Sequence, residues 1–334
     1  MLQRQSASAL LEEAHRVWPE VAAETGIDPT QYTSHLLRTR AERSRHITVV
    51  LLRSLTERSL VFKLFTPVVP AEQFRKHLDA HRQAEALLRD ASGADVVPLV
   101  WSDAERNLEL TEYVEGQTAH DRLSLAQFGL DDRSDLLHAC GRWAGYLHRA
   151  GATAPQPYDA LPATRRVRKL ARAVRNGTRK VARPRRFQGL CALSQRAARA
   201  AGGHPVVTTA LHGDYHARNL ILTERCAYGL DFSQRERGPA PMDLARFLTR
   251  PSPGLDGKAE RTLDSGLDTR DLDAFFDGYG EDLRADPVFL HCLCLQVVRD
   301  WINFPAERVH RSPVQQSRLE NRTGLFFALK KQGL

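Results

Sequence analysis

LHGDYHARNLILTERCAYGLDF, residues 211–232, sets His212, Asp214 and Asn219 in the spacing H-x-D-x-x-x-x-N. An apolar run, 220–222, follows directly. A turn-prone segment leads to a second short run, 228–230, that ends on Asp231-Phe232. The pattern predicts a loop, a strand, a tight turn and a second strand, with Asp231 at its far end.

These residue types in this order suit phosphoryl transfer. Nucleotide phosphates and a moving phosphoryl group are negative, so Mg²⁺ must lie against them. A hard cation takes oxygen ligands, which Asn219 and Asp231 can supply. An acceptor hydroxyl must be oriented and its proton taken, and Asp214 is placed for that. The chemistry is mostly positioning and charge neutralisation, so a few rigidly held groups suffice. A solvated loop with Asp214 capping a helix is the plainer alternative, but it leaves the later motifs unexplained.

HGDYHARN, then GLDF, then Gly238-Pro239 and Met242-Asp243-Leu244-Ala245 resemble the aminoglycoside phosphotransferase family. That family belongs to the protein-kinase-like superfamily, with choline kinases among its relatives. The resemblance runs from about Ser34 to the end. It implies an α+β, bilobal protein-kinase-like fold, with a small β-sheet lobe carrying one key helix and a larger, mostly helical lobe. The expected division is 1–114, with a leading helix at 6–24, and 115–334.

Composition agrees with two compact lobes. The chain has 334 residues, 42% hydrophobic and 26% charged, enough apolar material for real cores. No apolar run approaches the roughly 18 residues a membrane helix needs, and the start lacks the apolar core of a signal peptide. A cytoplasmic protein with no membrane span is expected. The five cysteines are odd in number and form no pair of C-x-x-C units, so buried reduced thiols are expected. The formal net charge of +8 invites a nucleic-acid reading.

Along the first lobe, strands are expected at 34–37, 47–52 and 60–65. The last carries Lys63 between Phe62 and Leu64, an odd place for a charge in a buried strand. The resemblance implies that Lys63 reaches the nucleotide phosphates, and that a glutamate of the following helix, 70–91, holds it. Glu85 is the candidate, with Glu72 behind it. The loop at 42–45, Glu-Arg-Ser-Arg, has no glycine, which departs from the Gly-rich loop of protein kinases. A strand pair at 96–101 and 107–114 ends in LELTEYVEG, and by resemblance Glu112, Tyr113 and Val114 form the hinge along the adenine edge.

In the second lobe a helix at 130–150 closes on Gly151, read as a left-handed cap, and His148 reads as a packed structural histidine. Eleven arginines and lysines crowd 165–186. Such a run is usually a solvated face, and no aromatic is interleaved before Phe187, which argues against base stacking. Acids cluster at 264–286, where the resemblance places the substrate cleft. Acids suit a cationic acceptor and the basic run an anionic one, so the two cues conflict. Asp243 reads as a brace for the loop at 211–219, and His212 as its support. For His216 and Arg218, contact with the phosphoryl group and contact with the acceptor both stay open.

The expectation is an ATP- and Mg²⁺-dependent phosphotransferase acting on the hydroxyl of a small molecule of aminoglycoside, sugar or amino-alcohol type. Asp214 orients the hydroxyl, Asn219 and Asp231 bind Mg²⁺, and Lys63 with Glu85 grips the phosphates. The alternatives are a catalytically inactive kinase-like scaffold and, last, a basic nucleic-acid-binding protein.

Overall fold

A computed structural model describes residues 7–41, 46–233, 237–250 and 267–331. The glycine-free loop 42–45, the first residue of the expected leading helix, Ser6, and Asp264 of the acidic run lie outside them. Helix α1 (Ala7–Thr25) leads into strands β1 (Thr33–Ala41), β2 (His46–Arg53) and β3 (Leu60–Thr66). Helix α2 (Ala71–Leu88) follows, then β4 (Ala94–Val96), β5 (Leu99–Asp103) and β6 (Leu108–Glu112). Strands β1, β2, β3, β6 and β5, in that order, make one antiparallel sheet.

Side chains alternate across a strand, and the sequence uses this. Val50, Leu52, Leu60, Phe62, Leu64, Leu108 and Leu110 point to one face and bury against Ala14, Trp18, Val21 and Ala22 of α1. Odd-numbered residues of β3 and β6 point the other way. There Phe65 packs on Phe74 and Leu78 of α2, and Lys63 lies directly opposite Glu109.

The predicted strand at 96–101 divides in two. Val97 donates its N–H to Gly229 O at 3.0 Å, and β4 pairs in parallel with a later strand at Ala227–Gly229 rather than with β6. Pro98, which has no N–H to give a ladder, marks the break, and β5 begins beyond it.

The remainder holds β7 (Gln117–Thr118), α3 (Ala119–Ala126), α4 (Arg133–Ala150), β8 (Gln156–Pro157), α5 (Leu161–Arg175) and α6 (Pro184–Ala201). Strands β9 (Pro205–Val206), β10 (Thr208–Ala210), β11 (Leu220–Leu222), β12 (Ala227–Gly229) and β13 (Arg237–Pro239) come next. Helices α7 (Pro241–Leu248), α8 (Thr269–Tyr279), α9 (Pro287–Trp301) and α10 (Pro313–Lys331) close the chain. Strands β4, β12, β11 and β7 form a four-stranded sheet; β8–β9 and β10–β13 are short pairs. The result is an antiparallel sheet region followed by a helical one, the mixed α+β architecture expected. No helix among the described residues is long and apolar enough to cross a membrane.

Helix α4 is the pillar of the larger core. Its Trp143 is fully buried, donates Nε1–H to Asp95 O at 2.7 Å and lies against Tyr215, His212 and Phe232. Gly151 caps it, but with φ −90° rather than in the left-handed region. What requires glycine is space: a Cβ there would stand 2.9 Å from the backbone nitrogen of Ala210 on β10. Cys140, Cys191, Cys292 and Cys294 are buried free thiols and Cys226 is half-buried.

Candidate active site

The loop at 211–219 is held from three sides. Gly213 takes φ +74°, a conformation that costs glycine nothing. Its N–H and that of His212 both donate to the Asp243 carboxylate, at 3.0 and 2.7 Å, from the first turn of α7. The Tyr215 hydroxyl donates to Cys140 O of α4 at 2.6 Å. His212 is fully buried and stacked on Phe232, centroids 4.6 Å apart. Burial depresses its pKa, so the ring is neutral, with Nδ1 facing the Asp214 N–H at 3.4 Å. It supports the loop and is out of reach of solvent. His148 is buried as well, 3.2 Å from the Tyr279 hydroxyl.

Asn219 donates Nδ2–H to Asp214 O at 3.1 Å, and its own carbonyl accepts from Leu230 N at 3.1 Å. The hairpin of β11 and β12 then carries the chain to Asp231, and Ser233 N–H returns to His212 O at 2.9 Å. Asp231 has φ +58°, in the left-handed region that Asp tolerates better than most residues. Its Oδ1 accepts from Lys63 Nζ at 2.8 Å. Burial alone would raise the Asp231 pKa, but Lys63 pulls it below the ordinary value.

Lys63 does not pair with Glu85. Its second partner is Glu109 Oε1, at 3.1 Å, from the adjacent strand. Glu85 stands near Asp95 and is part-exposed, with burial and that neighbour raising its pKa. The reason is geometric. His77 is the α2 residue that faces the Lys63–Glu109 pair, and Glu85 lies eight residues on, about 12 Å along the helix axis. Glu72 pairs locally with Lys76. His77 Nε2 is 3.0 Å from Glu109 Oε2, and Nδ1 is 2.8 Å from Phe232 O. Both partners can only accept, so both ring nitrogens donate and the ring carries a proton. Burial opposes that charge and Glu109 outweighs it, leaving the His77 pKa raised. Burial likewise opposes the charges of Lys63 and Glu109, yet each is held firmly ionised by its partners.

Asp214 meets two arginines and a histidine at one oxygen. Arg246 Nη2 contacts Oδ1, with Arg250 Nη1 at 3.5 Å and His216 Nε2 at 3.6 Å. Burial would raise its pKa, but His216, Arg246 and Arg250 hold it well below the carboxylate range. Arg218 turns away, donating to His120 Nε2 at 3.0 Å. Beside the loop, helices α5, α7 and α9 enclose a cavity of about 380 Å³ whose wall includes Gly213, Arg246 and Arg166. The residues expected to form the hinge lie at the end of β6 and just beyond it: Tyr113 N–H donates to Ser59 O at 2.9 Å, and the Glu112 side chain meets Arg58. Among the described residues the Val114 N–H finds no acceptor.

Glu109, His77, Arg246 and Arg250 escaped the sequence reading. For Glu109 a signal existed, since it stands between two leucines as Lys63 stands between Phe62 and Leu64. Arg246 follows D-L-A directly and Arg250 comes four residues later, but both lie among many other arginines.

Known proteins share this fold. The model of the APH phosphotransferase enzyme family matches residues 43–288. No curated protein sequence matches the chain. A choline/ethanolamine kinase family protein from Mesorhizobium loti superposes with a TM-score of 0.56 at 15% identity, over 94% of this chain and 95% of that one. Macrolide 2′-phosphotransferase from Brachybacterium faecium gives 0.53 at 14% identity, over 92% and 96%. An amicoumacin kinase in complex with AMP-PNP, Ca²⁺ and Ami gives 0.53 at 13%, over 96% of each chain. At such identities the structures speak for the fold, which is kinase-like, while the family match spans most of the sequence. The chain belongs to the APH phosphotransferase enzyme family.

Proposed function

We propose that this protein transfers the γ-phosphoryl group of ATP to a hydroxyl of a small molecule. The observation that carries the reading is the convergence of Lys63, Asp231, Asn219 and Asp214. Lys63 reaches Asp231 across 168 positions of sequence, and Asn219 is tied to the Asp214 backbone. The nucleotide would lie between the sheet and the loop, its adenine edge along 112–114, where the unpaired Val114 N–H offers a donor. We place the division between lobes at this point, 1–114 and 115–334.

Asn219 and Asp231 offer an amide and a carboxylate oxygen, a donor set that fits Mg²⁺ sharing its shell with phosphates and water. When bound, that ion would neutralise phosphate charge. Lys63 holds the phosphates as a fixed positive charge, kept in place by Glu109. Asp214 orients the acceptor hydroxyl and takes its proton. Arg246, Arg250 and His216 fix one oxygen of Asp214, leaving the second, Oδ2, for that hydroxyl. A carboxylate with so low a pKa is a weak base, which suits a loose transition state where positioning dominates.

The test is thermal stability with and without Mg·ATP, joined to turnover. A ligand bound to the folded state alone raises the midpoint, by about 2.7 kcal/mol of stability at a hundred times its Kd. Wild type is expected to shift, and Asp231→Asn to lose most of the shift. Asp214→Asn is expected to keep it while turnover falls by roughly 10²–10⁴. No shift in wild type, or loss of nucleotide binding in Asp214→Asn, would overturn the assignment.

A further inference from the structure

The cavity beside Asp214 has a one-sided charge. Its charged wall residues among those described are Arg166, Arg246, Arg299 and Asp243, three arginines against one carboxylate. That carboxylate is already occupied, accepting from the backbone N–H groups of His212 and Gly213. Arg246 is nine-tenths buried, and its Nε, cut off from solvent, has no hydrogen-bond partner. A buried charged donor left unpaired is costly. Arg166 is exposed on α5, its guanidinium in no hydrogen bond or ion pair among the described residues. Arg250 is pushed below the usual arginine pKa, first by burial and next by the charge of Arg246, with Arg299 adding. The rest of the wall is apolar, with Ala163, Val167, Leu170 and Leu295 among its residues.

The acids of the α8 region are elsewhere. Asp273, Asp277, Glu281 and Asp282 line a separate, open hollow that shares no residue with this cavity. Asp273 and Asp282 are both held by Arg284. The acidic cue of the sequence is thus absent from the described wall beside Asp214, and the basic cue is present through Arg166.

We infer that the acceptor is an acid: a small hydroxyl compound with an apolar body and a carboxylate or phosphate group that seats between Arg246 and Arg166. The inference rests on the phosphotransferase reading for the hydroxyl and stands on the arginines for the anion. It also gives Arg246 two partners of one sign, Asp214 and the acceptor's anion. A polycationic acceptor would face Arg246 and Arg166.

The test uses a series of benzyl alcohols of one shape: 4-(hydroxymethyl)benzoate, 4-(hydroxymethyl)phenylphosphonate, methyl 4-(hydroxymethyl)benzoate and 4-(hydroxymethyl)benzylamine. Binding to the full chain is measured by calorimetry without nucleotide. At least one anion is expected to bind ten-fold or more tighter than the ester, and the amine more weakly still. The order of carboxylate and phosphonate distinguishes the two anion chemistries. Arg166→Gln, an exposed change that leaves the core untouched, is expected to lower anion affinity several-fold without altering the Mg·ATP midpoint shift. Arg246→Gln is expected to lower it further. Equal affinity across the series, preference for the amine, absence of binding by all four, or anion binding indifferent to both substitutions would each overturn the proposal. An anion preference without any Mg·ATP shift would instead remove the phosphotransferase reading and leave the anion site standing.

Discussion

Lys63 and Glu109 form a buried pair, with side-chain exposures of 8% and 1%, inside a cluster in which Lys63 also meets Asp231 and Glu109 also meets His77. Removing the carboxylate that Lys63 and His77 share leaves two buried cations with Asp231 alone to balance them, a loss on the scale of a broken buried pair, about 3–5 kcal/mol. Glu109→Gln is therefore expected to lower the unfolding free energy by that amount and to raise the KM for ATP, as Lys63 collapses onto Asp231. Glu85→Gln, on a part-exposed residue with no tie to Lys63, is expected to stay within about 0.5 kcal/mol of wild type. Denaturant titrations of the two variants check this, and the reverse order would restore Glu85 as the partner. His77 adds a pH signature at the same spot. Its pKa is raised in the folded state. The stability it contributes is whole below the ordinary histidine pKa, about 6.5, and fades as pH rises through the raised folded value. The stability gap between wild type and His77→Gln should thus be widest near pH 6 and shrink towards pH 9 in urea midpoints. A gap that is constant or grows with pH would mean a neutral ring.

At the scale of elements, the proposed site depends on how closely α4 and α8 approach. A Cβ at Gly278 of α8 would overlap the carbonyl of His138, and one at Gly141 of α4 would overlap that of Phe275. Both obstacles are backbone and cannot swing aside. Gly278→Ala is expected to destabilise by about 1–3 kcal/mol through overpacking, outweighing the gain in helix propensity, about 1 kcal/mol. Because α4 carries Trp143 beneath the loop, turnover should fall alongside stability. A thermal midpoint at or above wild type would show that the helices can part freely. The same elements show what the sequence could disclose. H-x-D-x-x-x-x-N through D-F was readable because its spacing is local, as was the helix-to-glycine close at Gly151. The partner of Lys63 was not. Alternation places Lys63 on the face away from Leu60, Phe62 and Leu64, but only strand register sets Glu109 opposite, and register is a non-local property. Choosing Glu85 required knowing how far along α2 the cleft lies, which helical periodicity leaves open. The split at Pro98 depended on β12, some 130 residues later.

Across the whole molecule, α2 belongs to both halves. Phe74 and Leu78 pack with Phe65 of the sheet, while Ala80, Ala84 and Leu88 join the core built around α4. In the proposed function, a nucleotide seated between them would touch groups from each side: Val114, Lys63 on β3, and Asp231 beyond β12. Hydrogen exchange can report this at residue level, since an amide without an acceptor exchanges through small openings, unlike one in a ladder. Val114 N–H is such an amide among the described residues. It should exchange fast in the free protein and slow with Mg·ATP. Amides of the buried α9, already within the helical ladder and distant from the hinge in the chain, should change little. Asp231→Asn weakens the opposite end of the nucleotide, so slowing at Val114 should diminish there too, although the two residues lie on different strands' ends. Slowing that persists undiminished in Asp231→Asn would detach the hinge from the metal-binding end and divide the proposed site into two independent ones.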